Sequence, residues 1–280
     1  MVKLIVDSAA DIAQKEADEL GIVLLPIEVR FQDEEYLDGV TLLPEDFYPK
    51  LQAATELPKT SQINPYRFEE EFKKQTENGD EVVAIIMSSK LSGTYLNAKN
   101  VAEDFKGKVF VVDSLNACIG ERLLVHYALR LIKEGLSAKE VYEKLEVAKY
   151  KINLVASIDT LKYLKMGGRI STAAAVAGEL FSIKPIISVE DGALRVLGKA
   201  MGAKKAVAMV TSIASKKQID YDMPFGIIWS GNDRSAAEKY LADDKILWGE
   251  HKNEVGLYAM GSTIGTHIGP GAVGVAFFEK

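Results

Sequence analysis

The sequence predicts an α/β protein. An N-terminal three-layer domain on a mainly parallel sheet precedes a C-terminal α+β domain with a mixed or antiparallel sheet. Three observations carry this. Early apolar runs such as VVAIIM and KVFVVD are β-branched and lack period-2 alternation, so both faces of those strands are expected to be buried. Helix-like segments separate these runs, which is the pattern of parallel strands with helices on both faces. Later, PIISVE and ALRVLGKA flank Asp191-Gly192, a pair suited to a two-residue turn with positive φ, and so read as a hairpin. The expected domains are 1–150 and 151–280, with the boundary near Lys151.

In order, VKLIV is a strand and DIAQKEADEL a helix, and IVLLPIEVRF is extended with Pro26 interrupting it. PEDFYPKLQAA and NPYRFEEEFKKQTENG are helices, each with a proline near its start. VVAIIM, a helix over 92–105, KVFVVD and a long helix from about Ala117 to Glu134 follow. The second half begins with the helix SAKEVYEKLEVAKY and the strand INLVAS, then a helix ending at Gly167-Gly168. After the hairpin come the helix AKKAVAMVTSIASKK, the strand FGIIWS, the helix RSAAEKYLADD, and two closing strands in VGLYAMGS and AVGVAFFEK. VDS follows two strands, at 6–8 and 112–114, which reads as shared capping chemistry rather than duplication.

Composition excludes several classes. The chain has 280 residues, 48% hydrophobic and 26% charged, enough for a sizeable core. A formal net charge of −6 with no Lys/Arg run argues against nucleic acid and against a standing affinity for anionic lipid surfaces. Cys118 is the only cysteine, which rules out an internal disulfide and disfavours a cysteine metal cluster; it reads as a buried helix residue. The apolar run in MVKLIVDSAADI is short for a secretory leader, and no stretch is long enough to cross a bilayer, so a cytoplasmic protein is expected. GPGAVG at 269–274 matches a dinucleotide fingerprint, but no helix follows, and the chain ends at 280 before an acidic ribose contact. Neither a phosphate-binding P-loop nor a serine-hydrolase elbow is present.

Four stretches are candidates for a binding site. SSKLSGTYLNA, 88–98, places hydroxyls and Gly93 at a strand-to-helix corner. Free N–H groups and the helix dipole there suit an anion, although Ser92 fits a plain helix cap equally well. TSQINP, 60–65, is a second hydroxyl cluster, read locally as N-capping. GGRIS, 167–171, presents Arg169 from a compact turn, either toward an anion or a partner's carboxylate or simply at the surface. GSTIGTHIGPGA reads as a glycine-rich loop holding His267, with a ligand contact and a tight turn both open. Of the other histidines, His126 reads as structural and His251 as solvated.

Taken together, LIVDSAADI, PKTSQINP, SSKLSGTYLNA, VVDSLNACIGE, DTLKYLKMGGRIS, KPIISVEDGAL and GTHIGPGAVGVAF resemble the DegV family, in family order and across nearly the whole chain. The resemblance implies two α/β domains with a long-chain fatty acid held between them. It also implies the role of acyl-binding subunit of a bacterial fatty acid kinase. Such a subunit presents the carboxylate to a separate ATP-using catalytic subunit, and the acyl phosphate product feeds phospholipid synthesis. No cofactor is implied beyond the fatty acid itself, and transient membrane contact is compatible with the role. Carried over by motif, the carboxylate-binding positions are Ser92 with Gly93 and Thr94, Thr60 with Ser61, and His267; Arg169 becomes a head-group gate or partner-facing residue.

A buried carboxylate needs donors, which these hydroxyls, the amides near Gly93 and the imidazole supply. Each buried methylene contributes ~0.8 kcal/mol, so a long chain contributes on the order of 10 kcal/mol before ordering costs. The tail therefore sets affinity and the head sets orientation. Phe181, Ile183, Ile186, Leu194, Leu197 and Ile264 are candidate tunnel residues, each equally a core residue. Two rival readings are an enzyme acting on a small anionic substrate and a regulatory lipid- or anion-binding module.

Overall fold

The computed structural model describes residues 1–170 and 182–280. Phe181 and Ser171 lie outside the described residues.

The first half runs β1 (Val2–Asp7), α1 (Gln14–Leu20), β2 (Val23–Leu25), β3 (Glu28–Phe31), β4 (Glu34–Leu37), α2 (Pro44–Ala53), β5 (Lys59–Thr60), α3 (Pro65–Thr76), β6 (Glu81–Ile86), α4 (Thr94–Ala102), β7 (Val109–Asp113), α5 (Cys118–Lys133) and α6 (Ala138–Ala148). The second half runs β8 (Ile152–Ser157), α7 (Lys162–Met166), β9 (Ile183–Glu190), β10 (Ala193–Met201), α8 (Ala203–Ala214), β11 (Phe225–Trp229), α9 (Ser235–Asp243), β12 (Gly256–Ala259), α10 (Ser262–Ile268) and β13 (Val273–Phe278).

Strands β2-β1-β6-β7 form a fully parallel four-stranded sheet. Alternate residues face opposite ways, and both faces are apolar. Leu4, Val6, Val83 and Ile85 pack toward Leu123 and Leu124 of α5. Ile5, Val82, Ala84 and Ile86 pack toward Phe68 and Phe72 of α3 and Ala98 of α4. Two buried faces explain why these strands show no alternation in the sequence.

The six-stranded sheet has the order β10-β9-β8-β13-β11-β12 and is antiparallel except for the parallel β11/β12 edge. Its hairpin turns at Asp191 (φ 49°) and Gly192 (φ 81°), the two positive φ values expected from the Asp-Gly pair. One face of this sheet buries Ile186, Ile227, Val275 and Phe277 against Val210 of α8, Tyr240 of α9 and Trp248. The other buries Leu154, Ala156, Ile187 and Ala276 in the cluster that also contains Leu123 and Leu124. Helix α5 contacts strands of both sheets and so lies between them.

Three features depart from the sequence reading. Strands β4-β3-β5 form a small antiparallel sheet, which places Thr60 on a strand and not in a capping loop. The GSTIGTHIGPGA stretch is not a loop throughout, because Ser262–Ile268 is a helix. Glycines discourage helix in isolation, and here tertiary contacts override that preference. His251 is not merely solvated, since its ring stacks on Tyr221 with centroids 4.0 Å apart. Among the described residues, no helix is long and apolar enough to cross a membrane.

Candidate functional site

Because the first sheet is parallel, the carboxyl ends of its strands share one edge, where ligands gather in open α/β folds. Side chains knit the loops at that edge together. Asp7, at the end of β1, accepts from the amide of Met87 at 2.9 Å. Asp113, at the end of β7, accepts from Ser89 N at 3.2 Å and Leu115 N at 3.1 Å. The two VDS repeats thus fasten the loop after β6, which carries LSGT.

Within LSGT, Ser92 Oγ lies 2.9 Å from Thr94 Oγ1 and also accepts from Thr94 N at 3.3 Å. Thr94 is fully buried behind Ser92, and its Oγ1 accepts from the amide of Ile63 at 3.4 Å. Asn97 donates to Ile63 O at 2.9 Å. A Cβ on Gly93 would lie 2.6 Å from the amide tip of Gln62, so the glycine lets the TSQ and LSGT segments meet. Ser88 Oγ reaches the other half, donating to Gly192 O in the hairpin turn at 2.7 Å.

Thr60 pairs with Val29 of β3, and the Ser61 amide donates to Glu28 O at 3.1 Å. From this small sheet Thr60 Oγ1 meets His267 Nε2 at 3.1 Å. The other ring nitrogen of His267, Nδ1, is buried and has no hydrogen-bond partner among the described residues. A side chain on Gly167 would collide with that nitrogen, so the double glycine lets α7 close on the imidazole. Burial first, and then the positive Arg169, hold His267 down at about 4, so the ring is neutral near pH 7. Arg169 is itself exposed and donates to Gly167 O at 2.6 Å and to Leu91 O at 3.4 Å, bridging the double-glycine turn and the LSGT loop.

These groups open onto one cavity of about 480 Å³, between the carboxyl edge of the parallel sheet and the inner face of the six-stranded sheet. Thr60, Ser61, Gln62, Ser92, His267 and Arg169 form its polar part. Leu154, Ala156, Ile187, Val189, Leu194 and Ile228 form much of its apolar wall. Ser92 and His267 therefore both line the cavity, whereas Gly93 and Thr94 do not. Of the candidate tunnel residues, Leu194 and Ile264 line the cavity. Ile186 points through the opposite face of its sheet toward α8, and Leu197 is exposed. Two further residues line the cavity: Gln62, which directly follows the hydroxyls of Thr60 and Ser61, and Cys118, a buried residue at the start of α5. Nothing local in the sequence marks either one as a wall residue.

Behind the cavity is a buried acidic group. Asp7, Asp38 and Glu121 are at most 1% exposed. Burial pushes Asp7 and Asp11 up to about 7 and raises Glu121 well above the ordinary carboxylate range. Among the described residues no group of His, Cys, Asp and Glu is arranged to hold a metal ion.

Fold and site define a class: an α/β protein whose parallel and mixed sheets enclose an apolar cavity with hydroxyls, an imidazole and a guanidinium at one end. A family model described as "Uncharacterised protein, DegV family" matches residues 1–280. The chain is 34% identical over 279 residues to a DegV domain-containing protein of Halalkalibacterium halodurans, covering 99% of this chain and 98% of the relative. A solved structure described as fatty acid binding of a DegV family protein, from Thermus thermophilus, superposes with a TM-score of 0.87 at 30% identity, covering 100% of this chain and 99% of that one. A stearic acid-binding protein from Eubacterium ventriosum gives a TM-score of 0.86 at 25% identity, with the same coverage. The chain belongs to the DegV family.

Proposed function

We propose that this protein binds a long-chain fatty acid between two lobes, residues 1–150 and 151–280, and presents its carboxylate to a separate ATP-dependent kinase. The observation that carries the reading is the cavity of about 480 Å³, apolar along most of its wall and polar at one end. That volume is within the roughly 300–1,000 Å³ of small-molecule pockets. Ser92, Thr60 and Ser61 donate to the carboxylate, Thr94 orients Ser92, Gly93 lets Gln62 close in, and His267 completes the head site. Arg169, exposed at the mouth, gates the head group or faces the partner. The solved relatives described as fatty-acid binding support the choice of ligand.

On this reading the protein is a carrier and not an enzyme. The kinase catalytic subunit performs the chemistry, and the acyl phosphate formed goes to phospholipid synthesis. Ser92 is then a hydrogen-bond donor and not a nucleophile. The site of action is the cytoplasm, with transient contact at the membrane that supplies or receives the acyl chain. Organic extraction of the purified protein followed by mass spectrometry tests the ligand. Co-purified long-chain fatty acid supports the carrier reading. An empty extract, with a small polar anion bound instead, sinks it in favour of an enzyme or a regulatory anion-binding module.

A further inference from the structure

Helix α10 carries His267, Ile264 and Thr263 onto the cavity wall. It is a short helix, Ser262–Ile268, and a helix of that length does not hold together alone in water. Its N-cap, Gly261, has no side chain with which to cap it. The caps come from the other half of the chain. Asp38 Oδ1 accepts from Ser262 N at 2.8 Å and from Ser262 Oγ at 2.6 Å. Asp11 Oδ1 accepts from Gly261 N at 2.7 Å. Tyr48 of α2 donates to Met260 O at 3.1 Å.

The glycines independently mark the same docking. Gly261 has an ordinary φ of −71°, so its backbone does not require glycine. Space favours it, because a Cβ there would stand tightly against both carboxyls, 3.0 Å from Asp38 Oδ1 and 3.1 Å from Asp11 Oδ1. One turn on, a Cβ at Gly265 would lie 2.6 Å from the Phe47 ring and 2.9 Å from the Tyr48 hydroxyl. The helix therefore lies flush against α2, with its N-terminus held by two carboxyls and its last turn meeting Thr60.

We infer that Asp38 and Asp11 are positioning residues for the head-group end of the cavity: they seat the N-terminus of α10 and so set where His267 stands relative to Thr60 and Ser92. Neither carboxyl lines the cavity wall, so both act through the helix. In its choice of ligand this inference rests on the fatty-acid reading above. The seating of His267 does not depend on that choice.

The test uses the full chain with Asp38→Ala, Asp38→Asn and Ser262→Ala. Two quantities are read: the affinities for stearate and for methyl stearate, and the titration midpoint of the His267 ring by NMR. With Asp38→Ala, stearate affinity falls about tenfold, as for a lost hydrogen bond to a charged group. Methyl stearate affinity changes little, and the His267 midpoint rises from about 4 as the ring loosens. Asp38→Asn, which keeps an acceptor oxygen, restores most of both. A folded Asp38→Ala protein that loses acid and ester equally, with the His267 midpoint unmoved, overturns the inference, as does one indistinguishable from wild type. If Asp38→Ala does not fold, Ser262→Ala, which removes only the hydroxyl contact, decides by the same two readings. If the wild-type protein binds neither lipid, the fatty-acid reading fails, and the His267 midpoint in the variants still decides the seating.

Discussion

Thr60 Oγ1 and His267 Nε2 lie 3.1 Å apart although 207 residues separate them in the chain. One sits on a two-residue strand of the first half and the other in the last turn of a helix from the second. Together with Ser92, this pair lines the polar part of the cavity. Ser92→Ala and Thr60→Val each remove one hydroxyl there. Each is expected to weaken long-chain fatty acid binding by about tenfold with the fold intact. Titration calorimetry together with circular dichroism checks this; unchanged affinity would remove that hydroxyl from the head site.

Arg169 is exposed, and its guanidinium lowers the His267 value. Arg169→Gln is therefore expected to raise the titration midpoint of His267 from about 4, read by NMR. If the residue faces a partner, the same change impairs phosphorylation of the bound acid more than its binding. Binding and coupled-kinase assays run in parallel separate the two effects, and equal losses would argue against a partner-facing arginine.

Asp7 and Asp11 are raised by burial from an ordinary 3.8 to about 7 in the folded protein. Their folded values lie above the unfolded ones, so folding takes up protons. The stabilising contribution is complete below the unfolded value of 3.8 and is lost as pH rises through about 7. The melting temperature should accordingly climb as the buffer goes from about pH 8 to about pH 5. Asp7→Asn should flatten that slope, and a profile of opposite slope in the wild type would contradict the buried state of these acids.

Gly265 faces Phe47 and Tyr48 with no room for a methyl group. Both aromatic neighbours are at most 1% exposed, and their rings pack edge-on with centroids 5.0 Å apart, so neither gives way readily. Gly265→Ala should cost about 1–3 kcal/mol of stability by overpacking, despite alanine's better helix propensity. Denaturant unfolding measures this directly, and a neutral or stabilising result would mean that α10 can shift off α2.

Much of the fold was legible because its signals are local. VVAIIM and KVFVVD announce strands buried on both faces, Asp191-Gly192 announces a hairpin, and Asn64-Pro65 a helix start that the Asn64 side chain caps by accepting from Tyr66 N at 2.8 Å. The small β4-β3-β5 sheet was not legible, since β5 is only Lys59–Thr60 and pairs through a partner distant in sequence. Nor was α10, whose glycines read as a loop and whose caps come from Asp11 and Asp38, more than 220 residues away. Motif resemblance pointed to Ser92, Thr60, His267 and Arg169, which border the cavity, but gave no reason for Gln62 or Cys118.

The amino-acid sequence alone determined the alternation of strand and helix, the parallel character of the first sheet and the residue types available to a head group. Those follow from periodicity, branching and turn chemistry, which act over a few residues. Tertiary structure alone decided that Ile187 and not Ile186 faces the cavity, that Thr94 stands behind Ser92, and that a glycine-bearing segment is a helix aimed at Thr60. Such outcomes depend on which face of one sheet meets the edge of another, and on hydrogen bonds closed across the whole length of the chain.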